Sequence, residues 1–548
     1  MTLNRLSRLV IASALPLLLA QSADSVASFT TPGQTLGYVH FPISCSPSAQ
    51  RNFDQALALL HSFFFPNAGD AFAAIVKVEP SCAMAYWGVA ISERLNPLAA
   101  PTPRPALKRG SDAIEQAQAA SFGATPRERA WIDALGAFFK DYDTVDQRTR
   151  TLRYEEKMAQ LHARFPSDVE AAIFYALALD GAADPADKTY ARQLMAAAIL
   201  EELEPLYPNH PGIPHYIIHS YDYPALAQRG LFAAVRCVQI APAAPHALHM
   251  PSHIFSMLGM WHDVIRADLT ADTAVKAMAL DRYPLAGATQ AANGGRYHSL
   301  DFLTNAYLQL GQDRRAEEIV KMRNKVADVF QTTQFTAHTA FAAIPVRYAF
   351  ERGAWGEAAA LPVLRTPYPQ AEAISWFGRA IGAARSGDLV GAEADLDHLH
   401  ALKAKLAESG DAYWTQQVEI QETAAAAWMA LRSGHKDEAI VQMRQAADIE
   451  DKTEKHIAME NRLSPMRELL GELLLEADEP ALAIQEFEAA LRTTPNRYRS
   501  IAGAMKAAER LGDGAARQRY SEMLVDLGNS ADTERPDLLK ARQYLATR

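Results

Sequence analysis

The chain has 548 residues, more than one hydrophobic core usually serves, so several globular units or one long repeat array are expected. Hydrophobic residues make up 49% and charged residues 22%, a balance that excludes an intrinsically disordered chain. The formal net charge is −10 and no basic block occurs. A nucleic-acid partner is therefore not expected, because phosphate binding needs clustered Lys and Arg.

Residues 1–27 have the pattern of a secretory signal peptide. Arg5 and Arg8 precede an apolar stretch of 12 residues, Leu9 to Ala20, which is too short to span a bilayer. Cleavage is expected after Ala27, or alternatively between positions 20 and 23. We therefore expect a periplasmic or secreted protein, with a retained membrane anchor as the alternative. No later stretch is long and apolar enough for a transmembrane helix, so no membrane span is expected after signal removal.

Residues 28–48 are predicted to form an extended lead-in to a helical body. Cys45 and Cys82 flank the first predicted helical hairpin, and in an oxidising compartment they are the pair expected to form a disulfide. Cys237 lies in an alanine-rich helical run and is expected to be a buried thiol. No CxxC motif occurs, so neither thiol-redox chemistry nor a zinc ribbon is indicated.

A 34-residue frame organises the helical body. In the unit that ends at Pro495, small or apolar residues stand where the two helices of a hairpin touch: Leu470, Gly471, Ala483, Phe487 and Ala490. Pro208 and Pro242 occupy equivalent places, since 242 − 208 = 34, and Gly311 and Gly353 fall at equivalent turns. This pattern resembles the tetratricopeptide-repeat family, whose 34-residue unit is a helix–turn–helix hairpin.

The resemblance implies an all-α fold, a right-handed superhelical solenoid in which the first helix of each hairpin lines a concave groove. No run of alternating polarity is long enough to predict a sheet. The predicted organisation is a solenoid over residues 49–455, followed over residues 456–548 by two more regular repeats and a capping helix. The groove is expected to hold a peptide, a protein or a small molecule.

Histidines are concentrated in the middle of the chain. Six of the 16 fall within residues 210–253, namely His210, His215, His219, His246, His249 and His253. Two of the separations equal one repeat, since 249 − 215 = 34 and 253 − 219 = 34. Each of these pairs has a spacing of four residues, so both imidazoles project from one helix face. By the family resemblance these are positions 5 and 9, which point into the groove.

Further polar residues share this face. Asp222 takes position 12 of the first of these repeats, and His246 takes position 2 of the second. A later repeat, phased by Gly311, places His298 at position 2 and the polar residues Asp301 and Asn305 at positions 5 and 9. Packed helices lie about 8–10 Å apart, close enough for facing imidazoles to share a cation.

The pattern predicts a single transition-metal ion (copper, zinc or iron) in the groove. The predicted ligands are His215, His219, His249 and His253, with Asp222 or His298 close by. An Asp beside the ligands would fix the imidazole tautomers. Pro251 argues against strict equivalence of the two pairs, because a helix that starts there would leave His249 near its cap.

Two alternatives stay open. The groove could bind a peptide or an anionic ligand directly through the imidazoles without metal, or the histidines could form a structural network. The sequence has no HExxH, no GxSxG and no phosphate loop, so it indicates no particular reaction, and whether the protein is an enzyme stays open. The metal content of protein matured in the periplasm separates metal binding from peptide binding.

Overall fold

The computed structural model describes residues 36–99, 101–282, 288–327, 334–457, 459–460 and 462–547, without the side chains of 277–282 and 288–294. The predicted signal peptide, residues 1–27, lies outside this part of the chain. Residues 36–46 run without regular structure into the first helix, and the backbone N–H of Tyr38 donates to the carbonyl of Asn209 at 2.9 Å.

All regular secondary structure in the described residues is helical, and no strand occurs among them. The helices of the first half are α1 (Pro47–His61), α2 (Phe65–Val78), α3 (Ala83–Glu93), α4 (Arg104–Ala119), α5 (Pro126–Phe139), α6 (Gln147–Arg164), α7 (Val169–Ala182), α8 (Ala191–Leu203), α9 (Gly212–Tyr221), α10 (Leu231–Ile240), α11 (Pro245–His249) and α12 (Pro251–Met257).

The second half continues in the same way. Its helices are α13 (Trp261–Arg282), α14 (Ala288–Gln309), α15 (Asp313–Asn324), α16 (Phe335–Glu351), α17 (Trp355–Ala359), α18 (Pro369–Ser386), α19 (Leu389–Glu408), α20 (Ala412–Arg432), α21 (Lys436–Asp451), α22 (Met466–Glu476), α23 (Pro480–Thr493), α24 (Tyr498–Leu511), α25 (Gly514–Leu527) and α26 (Pro536–Ala546).

Sequence signals set the ends of these helices. Thr125 and Glu128 form a capping box that begins α5. Gly311 and Gly353, the predicted hairpin turns, have φ angles of +69° and +66°, a conformation that favours glycine. Gly387 ends α18 in the same left-handed region, with φ +92°.

Each helix packs on its neighbours along the chain, and the hairpins bury two hydrophobic cores, one on each side of α16. The predicted hairpin contact between α22 and α23 is present. A Cβ on Gly471 would lie 2.8 Å from the Phe487 ring, so no larger residue fits there without movement. The fold is a solenoid of packed helical hairpins, which confirms the predicted all-α class.

The cysteine predictions are also confirmed. Cys45 and Cys82 form a disulfide that joins the lead-in to the start of α3. Cys237 is a buried free thiol in α10, 1% exposed, and burial raises its pKa to about 12. Among the described helices, none combines the length and the apolar character that crossing a bilayer requires.

The C-terminal helices pack back on the middle of the chain. The Trp261 indole N–H donates to the carbonyl of Asn496 at 2.7 Å, and the Arg535 guanidinium pairs with Asp313 at 2.5 Å. The described residues between α21 and α22, which are 452–457, 459–460 and 462–465, form no helix or strand and bond to Asp222 and Asn305 in the middle of the chain. We call these residues the covering segment.

Candidate metal centre

Six imidazoles meet where α9, α11, α12 and α14 come together. They divide into two groups, which we call the first triad (His215, His219 and His246) and the second triad (His249, His253 and His298). Within each triad the three potential ligand nitrogens lie within 4.8 Å of one another. The triads are adjacent, because ring centroids are 6.0 Å apart for His219 and His253 and 6.1 Å apart for His246 and His249.

The local helical structure explains why each pair stays together. His215 and His219 lie one turn apart on α9. His249 ends α11 and His253 lies in the first turn of α12, but Met250 between them keeps helical angles, φ −50° and ψ −38°. Pro251 occupies the first position of α12, where its missing N–H is tolerated. The spacing of one turn is therefore kept across the proline.

The second triad has the dimensions of a metal site. The Nε2 atoms of His249 and His253 lie 3.2 Å apart, and those of His253 and His298 lie 3.4 Å apart. Two imidazole nitrogens bound to one tetrahedral ion at about 2.0–2.1 Å would lie about 3.3 Å from each other. The observed nitrogen–nitrogen distances therefore match those expected around a shared ion.

Two carboxylates fix the tautomers in the second triad. The Nδ1–H of His249 donates to Asp268 Oδ1 at 2.6 Å, and the Nδ1–H of His253 donates to Asp222 Oδ2 at 2.8 Å. A carboxylate only accepts, so the imidazole protons lie on Nδ1 and both Nε2 atoms present lone pairs. Two lone pairs that face each other at 3.2 Å repel unless a cation or an extra proton lies between them.

The first triad leaves buried nitrogens without partners. The Nδ1–H of His215 donates to the carbonyl of His61 at 2.6 Å, so its Nε2 faces that of His219 as a lone pair at 3.2 Å. Among the described residues, His219 Nδ1 and His246 Nε2 are buried and have no hydrogen-bond partner. Each such group costs about 1–3 kcal/mol of folding free energy when it is left unpaired.

Aromatic side chains separate the cluster from its surroundings. Phe63 has φ +56°, unusual for a bulky residue, and its ring centroid lies 4.4 Å from that of His215. Phe302 lies 4.7 Å from His249 and 4.8 Å from His253. The cluster is therefore lined by apolar rings as well as by its own imidazoles.

Burial favours the neutral form of five of these imidazoles. It lowers the pKa of His215 to about 3. Burial, followed by the charges of neighbouring groups, lowers the pKa of four further histidines well below the usual value: His219, His246, His253 and His298. Neutral imidazole is the form that binds metal ions.

In a third histidine cluster nearby, all imidazole nitrogens have hydrogen-bond partners. Glu170 accepts hydrogen bonds from His61 Nε2 at 3.0 Å and from His210 Nε2 at 2.9 Å. The remaining nitrogens accept as well, that of His61 from the Tyr216 hydroxyl at 3.0 Å and that of His210 from the Gly212 N–H at 3.2 Å. Because every nitrogen has a protein partner, this cluster is a satisfied structural network that positions the His61 carbonyl.

The covering segment closes the groove over the second triad. Lys455 is 7% exposed, and its Nζ donates to Asp222 Oδ2 at 2.7 Å and to the carbonyl of Met459 at 3.2 Å. Glu460 accepts from Asn305 at 3.0 Å and pairs with Arg347 at 2.8 Å. The groove that the sequence suggested as a site for a partner is occupied here by the chain itself.

All six residues proposed from the sequence lie in one buried cluster, but their grouping differs from the prediction. His215 and His219 belong to the first triad, whereas His249, His253 and His298 form the second, so the four paired imidazoles do not share one point. Asp222 accepts from the Nδ1–H of His253 and does not itself belong to either triad, as expected for a carboxylate that fixes an imidazole tautomer.

Sequence reasoning missed three contributors to the site. His246 was placed on the groove face but not among the ligands, although its position 2 matches that of His298. Asp268 lies on α13, the second helix of its hairpin, where the repeat frame predicts no groove residue. Lys455 comes from a connection far along the chain, and no spacing relates it to the histidines.

The chain matches no protein-family model and no curated protein. Solved structures of helical-repeat proteins align with most of it. A human IFIT1 dimer with PPP-AAAA has 10% identity over 81% of this chain and 90% of that chain, with a TM-score of 0.39. Yeast Tom70 has 10% identity over 91% and 96%, with a TM-score of 0.33. At this level of similarity, no ligand or activity carries over from them.

Proposed function

We propose that this protein is an exported tetratricopeptide-type protein that binds a transition metal through its buried histidine cluster. The observation that carries the proposal is the second triad. His249 and His253 direct Nε2 lone pairs at each other across 3.2 Å, while Asp268 and Asp222 hold the imidazole protons on the far nitrogens. A bound cation turns this repulsive contact into two coordinate bonds.

The ligand chemistry favours copper, zinc or iron. The nitrogens that converge are neutral imidazole nitrogens, which suit these metals, whereas magnesium and calcium prefer oxygen ligands. Carboxylates on the far side of metal-bound imidazoles are a usual feature of such sites. Three protein ligands leave a fourth position for water or substrate, as in catalytic zinc sites, and this supports a metalloenzyme as one form of the proposal.

An extra proton is the competing explanation for the same contact. It would convert one imidazole into an imidazolium inside an enclosure where burial lowers the pKa of His253 well below its usual value. A divalent cation instead offsets two nearby buried carboxylates, of which Lys455 pairs with only one, Asp222. Charge and burial together favour the metal over the proton.

The test is metal content and affinity. Protein purified from an exporting host is analysed for bound metal, then stripped and titrated with Zn²⁺ and with Cu²⁺. We expect tight binding that raises the melting temperature, and we expect His253→Ala to lose most of both effects. His262→Ala, which changes an exposed histidine on α13, serves as the matched control and should behave as wild type.

Absence of tight binding by the wild-type protein would contradict the proposal. The metal-free alternative, a groove that binds a peptide or a protein, would then be favoured. A peptide would have to displace the covering segment from Asp222 and Asn305, so peptide binding should expose Lys455 to chemical labelling. Metal binding predicts that Lys455 stays protected.

Export is the second element of the proposal. The Cys45–Cys82 disulfide is typical of an oxidising compartment, which agrees with the signal-like pattern of residues 1–27. Intact-mass measurement of protein from the periplasm or medium should show loss of the first 20 to 27 residues, and non-reducing peptide mapping should show the disulfide. A full-length chain with both thiols free would argue against export.

A further inference from the structure

We infer that the first triad is a second metal site, so that the cluster holds a pair of transition-metal ions. This inference rests on the proposed function for the ligand chemistry, but its main evidence lies in the contacts of His215, His219 and His246. It assigns His246 as a ligand and changes the expected stoichiometry from one ion to two.

The tautomers of the first triad leave no satisfied arrangement. Because the Nδ1–H of His215 is bonded to the His61 carbonyl, His215 Nε2 is a lone pair aimed at His219 Nε2. If His219 carries its proton on Nε2, its buried Nδ1 is an acceptor with no donor among the described residues. If it carries the proton on Nδ1, that donor has no acceptor and two lone pairs face each other at 3.2 Å.

His246 supplies the third nitrogen. Its Nε2 is buried without a hydrogen-bond partner among the described residues, and its ring centroid lies 5.1 Å from that of His215. The Phe63 ring stacks on His246 and on His219, in each case with ring centroids 5.5 Å apart. An ion at this point would satisfy His246 Nε2 and relieve the contact between the other two imidazoles.

The repeat builds both triads by one rule. Each triad takes two histidines one turn apart from one repeat, and its third histidine from the first helix of a following repeat. In the repeat frame the pair stands at positions 5 and 9, and the third histidine stands at position 2, as His246 for the first triad and His298 for the second. Two sites made by the same rule are expected to bind the same class of ion.

The neighbouring His61–Glu170–His210 cluster shows what a structural histidine network looks like in this protein. There a carboxylate lies among the imidazoles, and both nitrogens of each ring have protein partners. Among the residues that the structure describes, no carboxylate belongs to the first triad, and two of its buried nitrogens have no hydrogen-bond partner. A structural role therefore explains the His61 cluster but not the first triad.

Stoichiometry provides the test. Stripped protein is titrated with Zn²⁺ and with Cu²⁺, and bound metal is counted after desalting. We expect two equivalents for wild type and for the control His262→Ala, but one equivalent for His246→Ala and one for His298→Ala. His219→Ala, which removes another member of the first triad, should also bind one equivalent if His246→Ala does not fold.

Electron paramagnetic resonance of the copper-loaded proteins gives a second readout. Two Cu²⁺ ions in adjacent triads should couple and give a broadened or weakened signal per ion, whereas His246→Ala should give the full signal of an isolated ion. One equivalent in wild type, or two in both first-triad variants, would overturn the second site while leaving the proposed function intact. No bound metal in wild type would overturn both.

Discussion

In three of the imidazoles, the hydrogen bond made by the outer nitrogen, Nδ1, determines that the inner nitrogen, Nε2, presents a lone pair to the cluster. Asp268 and Asp222 each hold an Nδ1–H, and the His61 carbonyl holds a third. These contacts come from three different parts of the chain, and each turns a lone pair inward. Preorganised ligands lose little conformational entropy on binding, so these partners should contribute to affinity without touching the ion.

Replacing Asp268 with Asn should weaken the second triad. The amide oxygen can still accept from His249, but the negative charge that makes the imidazole a stronger ligand is lost. Metal affinity should fall roughly 10–100-fold, as measured by competition with a chromophoric chelator. Asp263→Asn, on the same helix and paired with Arg266, is the matched control and should leave affinity unchanged. Equal affinities for the two variants would show that Asp268 does not act through His249.

The sequence could locate the histidine cluster but could not predict that it divides into two triads. The separation of 34 residues and the spacing of four residues place His215, His219, His249 and His253 on one face, and the same frame adds Asp222 and His298. Which imidazoles share a point depends on side-chain rotamers and on contacts such as that of Asp268, which lies on a helix outside the frame. Spacing along one chain carries no information on such contacts between elements.

At the level of elements, ion pairs connect the covering segment to the earlier part of the chain. Burial raises the pKa of Asp222 to about 6, and the Lys455 ammonium limits that rise. Glu454, beside it in the sequence, bonds to Lys188 and to the Tyr190 hydroxyl. The segment therefore carries both signs of charge into a buried interface, and its Lys455 ammonium bonds to Asp222, the carboxylate that also accepts from His253.

Replacing Lys455 with Met should destabilise the metal-free protein more than the metal-loaded one. Without the ammonium, Asp222 keeps only its bond to His253, and loss of a buried partner costs roughly 3 kcal/mol. A bound cation offsets the same carboxylate, so the rise in melting temperature on metal loading should be larger in this variant than in wild type. Thermal unfolding with and without Zn²⁺ measures the difference.

Lys452→Met is the control for this experiment. Lys452 lies three residues earlier and is exposed, so its loss should change neither melting temperature by a measurable amount. If Lys455→Met lowers both melting temperatures equally, Lys455 stabilises the segment alone and has no electrostatic link to the metal centre.

Across the whole molecule, buried ion pairs join the C-terminal helices to the middle ones. Arg497, which directly precedes α24, pairs with Glu351 of α16 at 2.5 Å and with Glu468 of α22 at 2.7 Å. Glu472 of α22 pairs with two further guanidiniums, those of Arg385 and Arg499. Because these ion pairs are buried and have lost most of their hydration, they stabilise the packing of the C-terminal helices on the middle helices only while both partners stay charged.

Acid should therefore loosen this packing. Burial alone would raise the pKa of Glu472, but the Arg499 and Arg385 guanidiniums lower it to about 2, from an ordinary value of 4.5. Because the folded pKa is the lower one, the carboxylate contributes up to about 3 kcal/mol above pH 4.5, and this is lost as pH falls toward 2. Glu472→Gln should lower the free energy of unfolding at pH 7.

The same variant should flatten the acid dependence. Denaturant unfolding between pH 5 and 2.5 should show a smaller decrease in stability for Glu472→Gln than for wild type, because the titrating group is absent. Glu476→Gln, whose partly exposed side chain pairs with Arg385 and Arg432, is the control for loss of a more hydrated ion pair. Parallel curves for Glu472→Gln and wild type would show that other carboxylates govern the acid response.

The position of the covering segment over the histidines affects when ions could enter and leave the cluster. All six histidines precede residue 299, whereas the covering segment begins 452 − 298 = 154 residues after the last of them. Because a chain is synthesised from its N-terminus, the helices that carry the histidines can assemble before the covering segment is present. Ions would load in that interval and afterwards leave only when the segment lifts, so a chelator should remove them at a rate set by the opening of the protein, independent of its own concentration.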